Sequence, residues 1–330
     1  MIAVDVHAHA VPAGLLAGLA AGRVRFPHVA VERTGAGHIV SFAGGPPARP
    51  VAAGLTDAGR RSSWLNEQRI ARQVVGGWLD IFGYELPADE GADWAAVVTE
   101  ALAGLAAADG RLIPLGTVPL QDPARAAAAL HAAPVAGLPG VMIATRAGGR
   151  ELDDPALAPF WEAADAAGAV VYLHPGFSAA GPRHADFGLV NGLARVEDST
   201  VTVARLLYAG IPARYPGARL VVAHGGGALP YVLGRLVRNH LISPGSTADP
   251  LESFGLLYFD SVVFDPRALE FLVAKAGADR VLLGSDYPFP IGDPAPLAVV
   301  ERAALPDGAR GQILGGNAAR LLGLAGAGPP

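Results

Sequence analysis

The sequence predicts an α/β fold in which eight parallel strands and their helices close into a (β/α)8 TIM barrel, with a small β segment inserted after the first strand. Short apolar runs rich in valine, isoleucine and leucine alternate with alanine- and leucine-rich stretches at helical spacing, which is typical of a parallel sheet covered by helices. In addition, a histidine or an aspartate ends four of these runs, as expected where strand ends converge on one mouth of a barrel. An open, doubly wound parallel sheet is the alternative, because it has the same alternation of strands and helices.

The predicted strands are short, as expected of strands that are buried on both faces. Helical stretches separate many of them, and several of these stretches end at glycine or run into glycine and proline, which terminate helices. The predicted strands cover residues 2–7, 70–76, 112–117, 140–144, 169–174, 219–224, 256–262 and 280–284, and the predicted helices cover residues 92–109, 123–132, 157–168, 200–215 and 266–277.

Residues 10–61 do not follow the alternation of strand and helix, and we interpret them as an insertion after the first strand. They contain Gly35-Ala36-Gly37 and short alternating runs such as residues 38–42, which predict a small β-hairpin beside the barrel mouth. Residues 177–197 are a second long connection, after the fifth strand, and long loops at this face are usually functional. The whole chain, residues 1–330, is therefore predicted to be a single barrel domain with one insertion.

Composition limits the classes of function without choosing between an enzyme and a structural protein. The net charge of −5 gives no electrostatic argument for a nucleic-acid partner, and the absence of cysteine excludes disulfides, thiolate catalysis and cysteine-based zinc sites. No apolar run reaches the roughly 18 residues that suggest a membrane span. The N-terminus lacks the basic and apolar regions of a signal peptide. We therefore expect a cytoplasmic protein with no membrane partner.

Four of the apolar runs end in residues that commonly bind metal ions. His7 and His9 lie two apart on the first run, where their side chains would share a face with Cα atoms roughly 6.5–7 Å apart, so that both imidazoles could bind one ion. His174, His224 and Asp286 end the fifth, sixth and eighth runs. Each alone has an ordinary explanation, such as a hydrogen-bonded core histidine or an aspartate in a turn. Together, at converging strand ends, they predict a metal site.

Longer motifs give the chain a resemblance to a known family. The chain resembles the amidohydrolase superfamily over nearly its full length and, within it, the aminocarboxymuconate-semialdehyde decarboxylase branch (amidohydrolase 2) of metal-dependent decarboxylases. The HGGG and DYPFP stretches are the specific ones, whereas the HxH pair is shared across the superfamily. The matching stretches are DVHAH at residues 5–9, LIPLGTVP at 112–119, LHP at 173–175, AHGGGALP at 223–230, LGSDYPFP at 283–290 and GNAARLLGL at 316–324.

The resemblance implies a single divalent ion and a role for each matching residue. His224 would stay off the metal and transfer protons near the bound water, and Asp286 would both bind the ion and pass a proton. Residues 140–145 lack the lysine that, once carbamylated, bridges two metals in binuclear members, so one ion is expected. Three imidazoles and one carboxylate suit zinc, with manganese as the alternative. The implied ligands are His7, His9, His174 and Asp286.

The resemblance also implies that arginine side chains bind the carboxylate of the substrate. Arg235, eleven residues after the histidine of the sixth strand, matches an arginine that reaches into the neighbouring subunit's site, which predicts a homodimer. Arg49, in the insertion, falls where the family has another such arginine, although a surface salt bridge is the ordinary explanation for either residue. Phe187 lies nearest to a family tryptophan that has no clear counterpart here, and Gly176 replaces a bulkier ring. His184, in the same loop as Phe187, is a further candidate for a substrate contact.

The implied reaction is the metal-dependent, non-oxidative decarboxylation of an unsaturated or aromatic carboxylic acid, a small molecule. A proton would reach the carboxylate-bearing carbon from Asp286, or through hydration assisted by His224, before CO2 leaves. The same metal-bound water could instead attack a lactone or an amide, so a metal-dependent hydrolase is the alternative. A metal-binding regulatory or scaffold protein is a third hypothesis, which the intact ligand set disfavours. Release of CO2, formation of an acid by addition of water, or no turnover would distinguish the three.

Overall fold

The computed structural model describes residues 2–46, 48–133, 137–176 and 181–324, so that the first four residues of the predicted connection 177–197 lie outside the described part. The strands are β1 (Ala3–Ala10), β2 (Val29–Thr34), β3 (Gly37–Phe42), β4 (Ile70–Gly77), β5 (Leu112–Pro114), β6 (Gly140–Ala144), β7 (Arg146–Ala147), β8 (Arg150–Glu151), β9 (Val170–His174), β10 (Arg219–Val222), β11 (Tyr258–Asp260) and β12 (Val281–Leu282). The α-helices are α1 (Ala13–Ala20), α2 (Ala53–Thr56), α3 (Ala58–Glu67), α4 (Ala88–Ala108), α5 (Pro123–Ala132), α6 (Ala158–Ala167), α7 (Arg195–Tyr208), α8 (Ile211–Arg214), α9 (Leu229–Ile242), α10 (Pro250–Phe254), α11 (Pro266–Ala276), α12 (Pro296–Arg302), α13 (Asp307–Gly311) and α14 (Asn317–Leu322).

Eight parallel strands form two sheets that backbone contacts join at both edges. One sheet has the strand order β1-β4-β5 and the other has the order β12-β11-β10-β9-β6. At one seam Gly116 pairs in parallel with Val141, and the Gly116 N–H donates to the carbonyl of Gly140 at 3.0 Å. At the other seam Ala8 pairs in parallel with Tyr287. Each strand therefore has a neighbour on both sides, which confirms the predicted barrel and excludes the open sheet.

Most residues of the barrel strands are buried, as their apolar sequences predict. Every residue of β1, β6 and β9 is buried. Gly140 starts β6 where a Cβ atom would lie 1.9 Å from the carbonyl oxygen of Val170, so only glycine lets β6 and β9 begin side by side. Two buried tryptophans of the helix layer each hydrogen-bond through Nε1: Trp94 donates to the carbonyl of Ile81 at 2.7 Å and Trp161 to the carbonyl of Leu152 at 2.9 Å. These contacts fix the strands whose ends carry the site.

The insertion after β1 contains the predicted hairpin and also helices that the sequence did not predict. β2 and β3 pair in antiparallel fashion from Val29 opposite Phe42 to Thr34 opposite Gly37. The helices α1 and α2, and the start of α3, lie in the same interval. A second difference concerns the predicted helix at residues 200–215, which begins earlier and is divided into α7 and α8 at Gly210, where φ is +67°. Among the described residues, none of the helices has the length and apolar character needed to cross a bilayer.

Candidate metal centre

Four buried side chains converge at the carboxyl ends of the strands β1, β9 and β12. His7 and His9 lie on β1, His174 ends β9, and Asp286 follows β12, and their ligand atoms all lie within 4.8 Å of one another. Asp286 Oδ1 is 3.3 Å from Nε2 of both His7 and His9 and 4.0 Å from Nε2 of His174. Tetrahedral ligands at metal distances of about 2.0–2.1 Å would lie roughly 3.4 Å apart. The spacing therefore fits four ligands of one ion.

The three histidines are oriented by acceptors behind their rings. Each ring has an oxygen within hydrogen-bond distance of Nδ1, so the Nδ1 atom is the donor and Nε2 presents its lone pair to the centre of the cluster. This is the tautomer that a metal ligand needs. The three contacts are His7 Nδ1 with Asp260 Oδ2 at 2.7 Å, His9 Nδ1 with the carbonyl of Gly77 at 3.2 Å, and His174 Nδ1 with the carbonyl of Pro175 at 3.0 Å.

Two atoms at the centre of this cluster lack a hydrogen-bond partner. His174 Nε2 and Asp286 Oδ1 are both buried, and neither finds a donor or acceptor among the described residues. A buried polar atom left in this state costs about 1–3 kcal/mol. A cation bound at this point would satisfy both atoms, so the donor set fits a divalent ion.

The protonation states of the cluster also suit a cation. Burial raises the pKa of Asp286, but His7, His224 and His9 together outweigh burial and hold the pKa well below its usual range. Burial lowers the pKa of His9, and burial together with its histidine neighbours holds that of His174 well below its usual range. For His7 burial lowers the pKa, but the carboxylates of Asp286, Asp260 and Asp5 together outweigh burial, so the net shift of the pKa is upward. The site thus pairs an ionised carboxylate with mainly neutral imidazoles, the forms that bind metals.

His224 lies beside this cluster rather than within it. It follows β10, and its Nε2 atom is 3.5 Å from Oδ2 of Asp286, whereas the other histidines approach Oδ1. Its Nδ1 atom is buried without a hydrogen-bond partner in the described chain. His224 therefore faces Oδ2 of Asp286, the carboxylate oxygen that points away from the other histidines. From there it can exchange a proton with a group bound next to the cluster.

Asp260, at the end of β11, joins the ligands to His224 and was missed by the sequence analysis. Its carboxylate is completely buried, and burial alone would raise its pKa, but His7, His224 and the N–H of Gly225 together outweigh burial and lower the pKa. The signal in the sequence was a single acid inside an apolar strand. The donors to Asp260 are His7 Nδ1 at 2.7 Å, the Tyr172 hydroxyl at 2.8 Å, and the backbone N–H groups of His224 at 3.0 Å, Gly225 at 2.9 Å and Val262 at 3.1 Å.

A second buried network fixes β1 from the opposite side. Asp5 accepts from the backbone N–H of His7 at 3.0 Å and from Gln73 Nε2 at 2.8 Å, and burial raises its pKa to about 6. Arg61 donates to Gln73 Oε1 at 2.7 Å and to the carbonyl of His9. Burial lowers the pKa of Arg61 to about 10, so its guanidinium stays charged at neutral pH. The backbone of both β1 histidines is therefore hydrogen-bonded within the core.

A cavity of about 990 Å³ opens above the cluster and suits a small organic acid. Its base is formed by His9, His174, His224 and Asp286, and its wall carries two arginines, a further aspartate and an asparagine together with apolar side chains. These polar wall residues are Arg49, Asp80, Asn191 and Arg195, and the larger apolar ones are Trp78, Val262, Phe264, Phe289 and Ile291.

Of the residues that were predicted to contact substrate, Arg49 lines the cavity of its own chain. Arg49 donates through Nε and Nη2 to the two carboxylate oxygens of Asp80, both at 2.9 Å, and lies over the ring of Trp78. Arg235 is exposed on α9 and is absent from the described residues that line the cavity.

The two candidates from the long loop after β9 lie elsewhere. Phe187 is 95% exposed and is not among the described cavity residues, and it and Gly188 both have left-handed backbone, with φ of +57° and +68°. His184 Nε2 lies 3.1 Å from Glu197 Oε2, so the loop is tied to α7 rather than to the cavity. The sequence analysis missed Arg195, which lines the cavity at the start of α7.

Left-handed backbone conformations are concentrated at the site. Five non-glycine residues of the described chain have positive φ, and three of them line the cavity: His224 at +56°, Phe264 at +61° and Asp286 at +59°. Non-glycine residues rarely adopt this conformation, which costs about 1–3 kcal/mol each where it is sterically strained. The barrel therefore fixes these side chains in an unfavourable backbone geometry.

Comparison with known proteins places the chain in a family. The family model described as amidohydrolase matches residues 4–324. The 2-amino-3-carboxymuconate-6-semialdehyde decarboxylase of Dictyostelium discoideum is 30% identical over 284 residues, which is 84% of this chain and 79% of that protein. The 6-methylsalicylic acid decarboxylase of Penicillium expansum is 30% identical over 162 residues, 45% of this chain and 48% of that protein.

A solved structure shares the fold. The crystal structure of 5-carboxyvanillate decarboxylase from Sphingomonas paucimobilis superimposes with a TM-score of 0.80 at 23% identity, covering 97% of this chain and 98% of that chain. At this level of identity the likeness supports the barrel. With the family model matched over nearly all of the sequence, the chain belongs to the amidohydrolase family.

Proposed function

We propose that the chain is a metal-dependent, non-oxidative decarboxylase of an unsaturated or aromatic carboxylic acid. The observation that carries the proposal is the set of four converging ligands with His224 beside them, at the base of a cavity lined by arginine. The Dictyostelium discoideum relative, which aligns over most of both chains, bears the name of a decarboxylase and supports the same reaction.

His7, His9, His174 and Asp286 are proposed to bind one zinc ion. Three imidazoles and a carboxylate suit zinc, and manganese is the alternative because carboxylate ligands also suit it. When bound, the ion supplies a Lewis acid that polarises a substrate oxygen and lowers the pKa of a bound water towards 7.

His224 and Asp286 are proposed to move the proton that the reaction requires. The proton joins the carbon that bears the carboxylate, either from Asp286 after this carboxylate has accepted it from His224 or from the bound water, or through hydration assisted by His224. The bond from this carbon to the carboxylate then breaks, CO2 leaves, and the electron pair of the broken bond restores the diene or the aromatic ring. On the hydration route the added hydroxide leaves in the same step. His224 Nε2 and Asp286 Oδ2 are 3.5 Å apart, so a proton can pass between His224 and Asp286 with little movement of either side chain.

Arg49 and the partner subunit's Arg235 are proposed to bind the substrate carboxylate in a homodimer, which completes each site with one arginine from the other chain. The face of α9 around Arg235 suits an interface, because Tyr231 is 82% exposed and Ile242 is 58% exposed on the same face of the helix. Phe187, which is also exposed, would contact substrate only if a second chain or a loop movement covered it. A cytoplasmic location remains our prediction.

The test is a metal analysis of the purified protein followed by a screen for CO2 release. Hydroxybenzoates, pyridine carboxylic acids and muconate-type acids would be offered to the metal-loaded protein and to the same protein after chelation. We expect CO2 from at least one acid, in the metal-loaded sample alone. Hydrolysis of lactones or amides without CO2 release would replace the proposal by a hydrolase, and metal binding without any turnover would favour a regulatory or scaffold protein.

A further inference from the structure

Arg195 occupies a fixed position in the cavity wall. It begins α7, where its Nε atom donates to Oδ1 of Asn191 at 2.9 Å and its Nη1 atom donates to the carbonyl of Pro175 at 3.2 Å. Two contacts on different atoms of one planar group set both its position and its plane. The guanidinium therefore lies in the cavity in a defined orientation.

The position lies next to the metal ligands. The carbonyl of Pro175 that accepts from Arg195 is also the oxygen near Nδ1 of His174, so that one carbonyl separates the arginine from a ligand. Burial lowers the pKa of Arg195, and the nearby carboxylate of Asp286 opposes that shift. An arginine side chain remains protonated in proteins. A positive charge is thus held beside the place where the substrate meets the metal.

Two arginines and the metal cluster bring cationic groups to one cavity. Arg49 and Asp80 form a pair through two hydrogen bonds, so their charges largely balance. A divalent ion would more than balance Asp286. Arg195 adds a further cation to the same cavity, whose remaining wall is largely apolar. A substrate that fills this space would be favoured if it carried a negative group towards Arg195.

The cavity wall close to Arg195 in sequence has little side-chain bulk. Gly188 and Gly192 both line the cavity, and a Cβ atom added at either one would have no heavy atom of the described residues within 4 Å. The guanidinium therefore stands in a stretch of wall that two glycines keep small.

We infer that Arg195 is a substrate-binding residue that selects acids with a second anionic group, one carboxylate going to the metal and the other group to Arg195 of the same subunit. This inference rests on the proposed function. It differs from the roles proposed for Arg49 and Arg235, because Arg195 belongs to the wall next to His174 and needs no second chain.

The experiment measures binding rather than turnover. Benzoate and the three benzenedicarboxylates would be titrated calorimetrically into the metal-loaded protein and into its Arg195→Gln and Arg195→Lys variants. We expect at least one dicarboxylate to bind wild type more tightly than benzoate. This preference, the ratio of the Kd for benzoate to the Kd for the dicarboxylate, should fall by about 10–100-fold in Arg195→Gln, because a charge-assisted hydrogen bond is lost. Arg195→Lys should keep part of it.

The matched control is Arg205→Gln, on the same helix but in a surface pair with Asp153 at 2.8 Å, which should leave the preference unchanged. An unchanged preference in Arg195→Gln, or an equal loss of affinity for benzoate and the dicarboxylates, would overturn the inference.

Metal content is measured in parallel, because the Pro175 carbonyl contacts both Arg195 and His174, so that a change at Arg195 could displace His174 and weaken metal binding. If Arg195→Gln loses the ion, Arg195→Lys decides: a reduced preference with the ion retained supports the inference, and an unchanged preference overturns it. A wild-type protein that shows the selectivity but releases no CO2 would refute the decarboxylase and leave this inference standing.

Discussion

Replacing Asp260 by asparagine should weaken metal binding although Asp260 is not a proposed ligand. In the native chain Oδ2 of Asp260 accepts from His7 Nδ1, which leaves Nε2 of His7 unprotonated and aimed at the cluster. An asparagine whose oxygen stays with the N–H groups of Gly225 and Val262 presents an amide NH2 to His7. The ring would then have to accept at Nδ1 and carry its proton on Nε2, where it blocks coordination.

The magnitude follows from the hydrogen bonds that are lost. Removing the partner behind a metal-binding histidine typically lowers metal affinity about 10–100-fold, which corresponds to about 1.4–2.7 kcal/mol. The same amide would also face the Tyr172 hydroxyl and the N–H of His224, which donate to Asp260 at 2.8 and 3.0 Å. Each buried donor left unpaired costs about 1–3 kcal/mol. We therefore expect a lower free energy of unfolding as well as weaker binding.

The assay is competition for zinc and for manganese against a chromogenic chelator, with folding followed by circular dichroism. Asp265→Asn is the matched control, because Asp265 lies five residues further on and accepts from the N–H of Arg267 as an exposed helix cap. It should lose little stability and no metal affinity. A folded Asp260→Asn variant with wild-type affinity for both ions would refute the reasoning that the carboxylate sets the tautomer of His7.

Three further predictions concern the proposed ligands, His224 and assembly. His9→Ala should lose the ion and nearly all activity, and metal content and turnover at wild-type levels would contradict the ligand assignment. His224→Asn should keep its metal and lose about 10²–10⁴-fold in turnover, whereas loss of the metal would make His224 a ligand. Mixing inactive Arg235→Ala with inactive His224→Asn should restore activity, because one site of a mixed dimer carries neither change. Subunit exchange confirmed by mass without recovered activity would show that Arg235 does not serve the neighbouring site.

The convergence of the ligands could be predicted because a parallel barrel puts all strand ends at one mouth. His7, His9 and His174 each end an apolar run, so strand prediction sufficed to place them together. The residues that support them were harder to recognise. Asp260 and Asp5 are single acids within apolar strands, and their roles depend on neighbours more than sixty residues away in sequence.

Errors in element boundaries hid other features. The helix predicted at residues 200–215 starts at Arg195, so this arginine was assigned to a loop rather than to the wall of the cavity. Helix α1 was missed because Gly14 and Gly18 lower the helix propensity of its eight residues. Phe187 was matched by position to an aromatic residue of the family, but the left-handed turn of its backbone cannot be read from the residue type.

The left-handed backbone at His224 and Asp286 has a consequence for how this protein can change. Both residues keep a conformation that glycine or asparagine would adopt more easily, so the chain is less stable than it would be without its reactive groups. Variants chosen for heat resistance alone should therefore accumulate glycine or asparagine at these two positions and lose turnover as they gain stability. Variants chosen for turnover should keep both residues and improve stability elsewhere, for example in the helix layer.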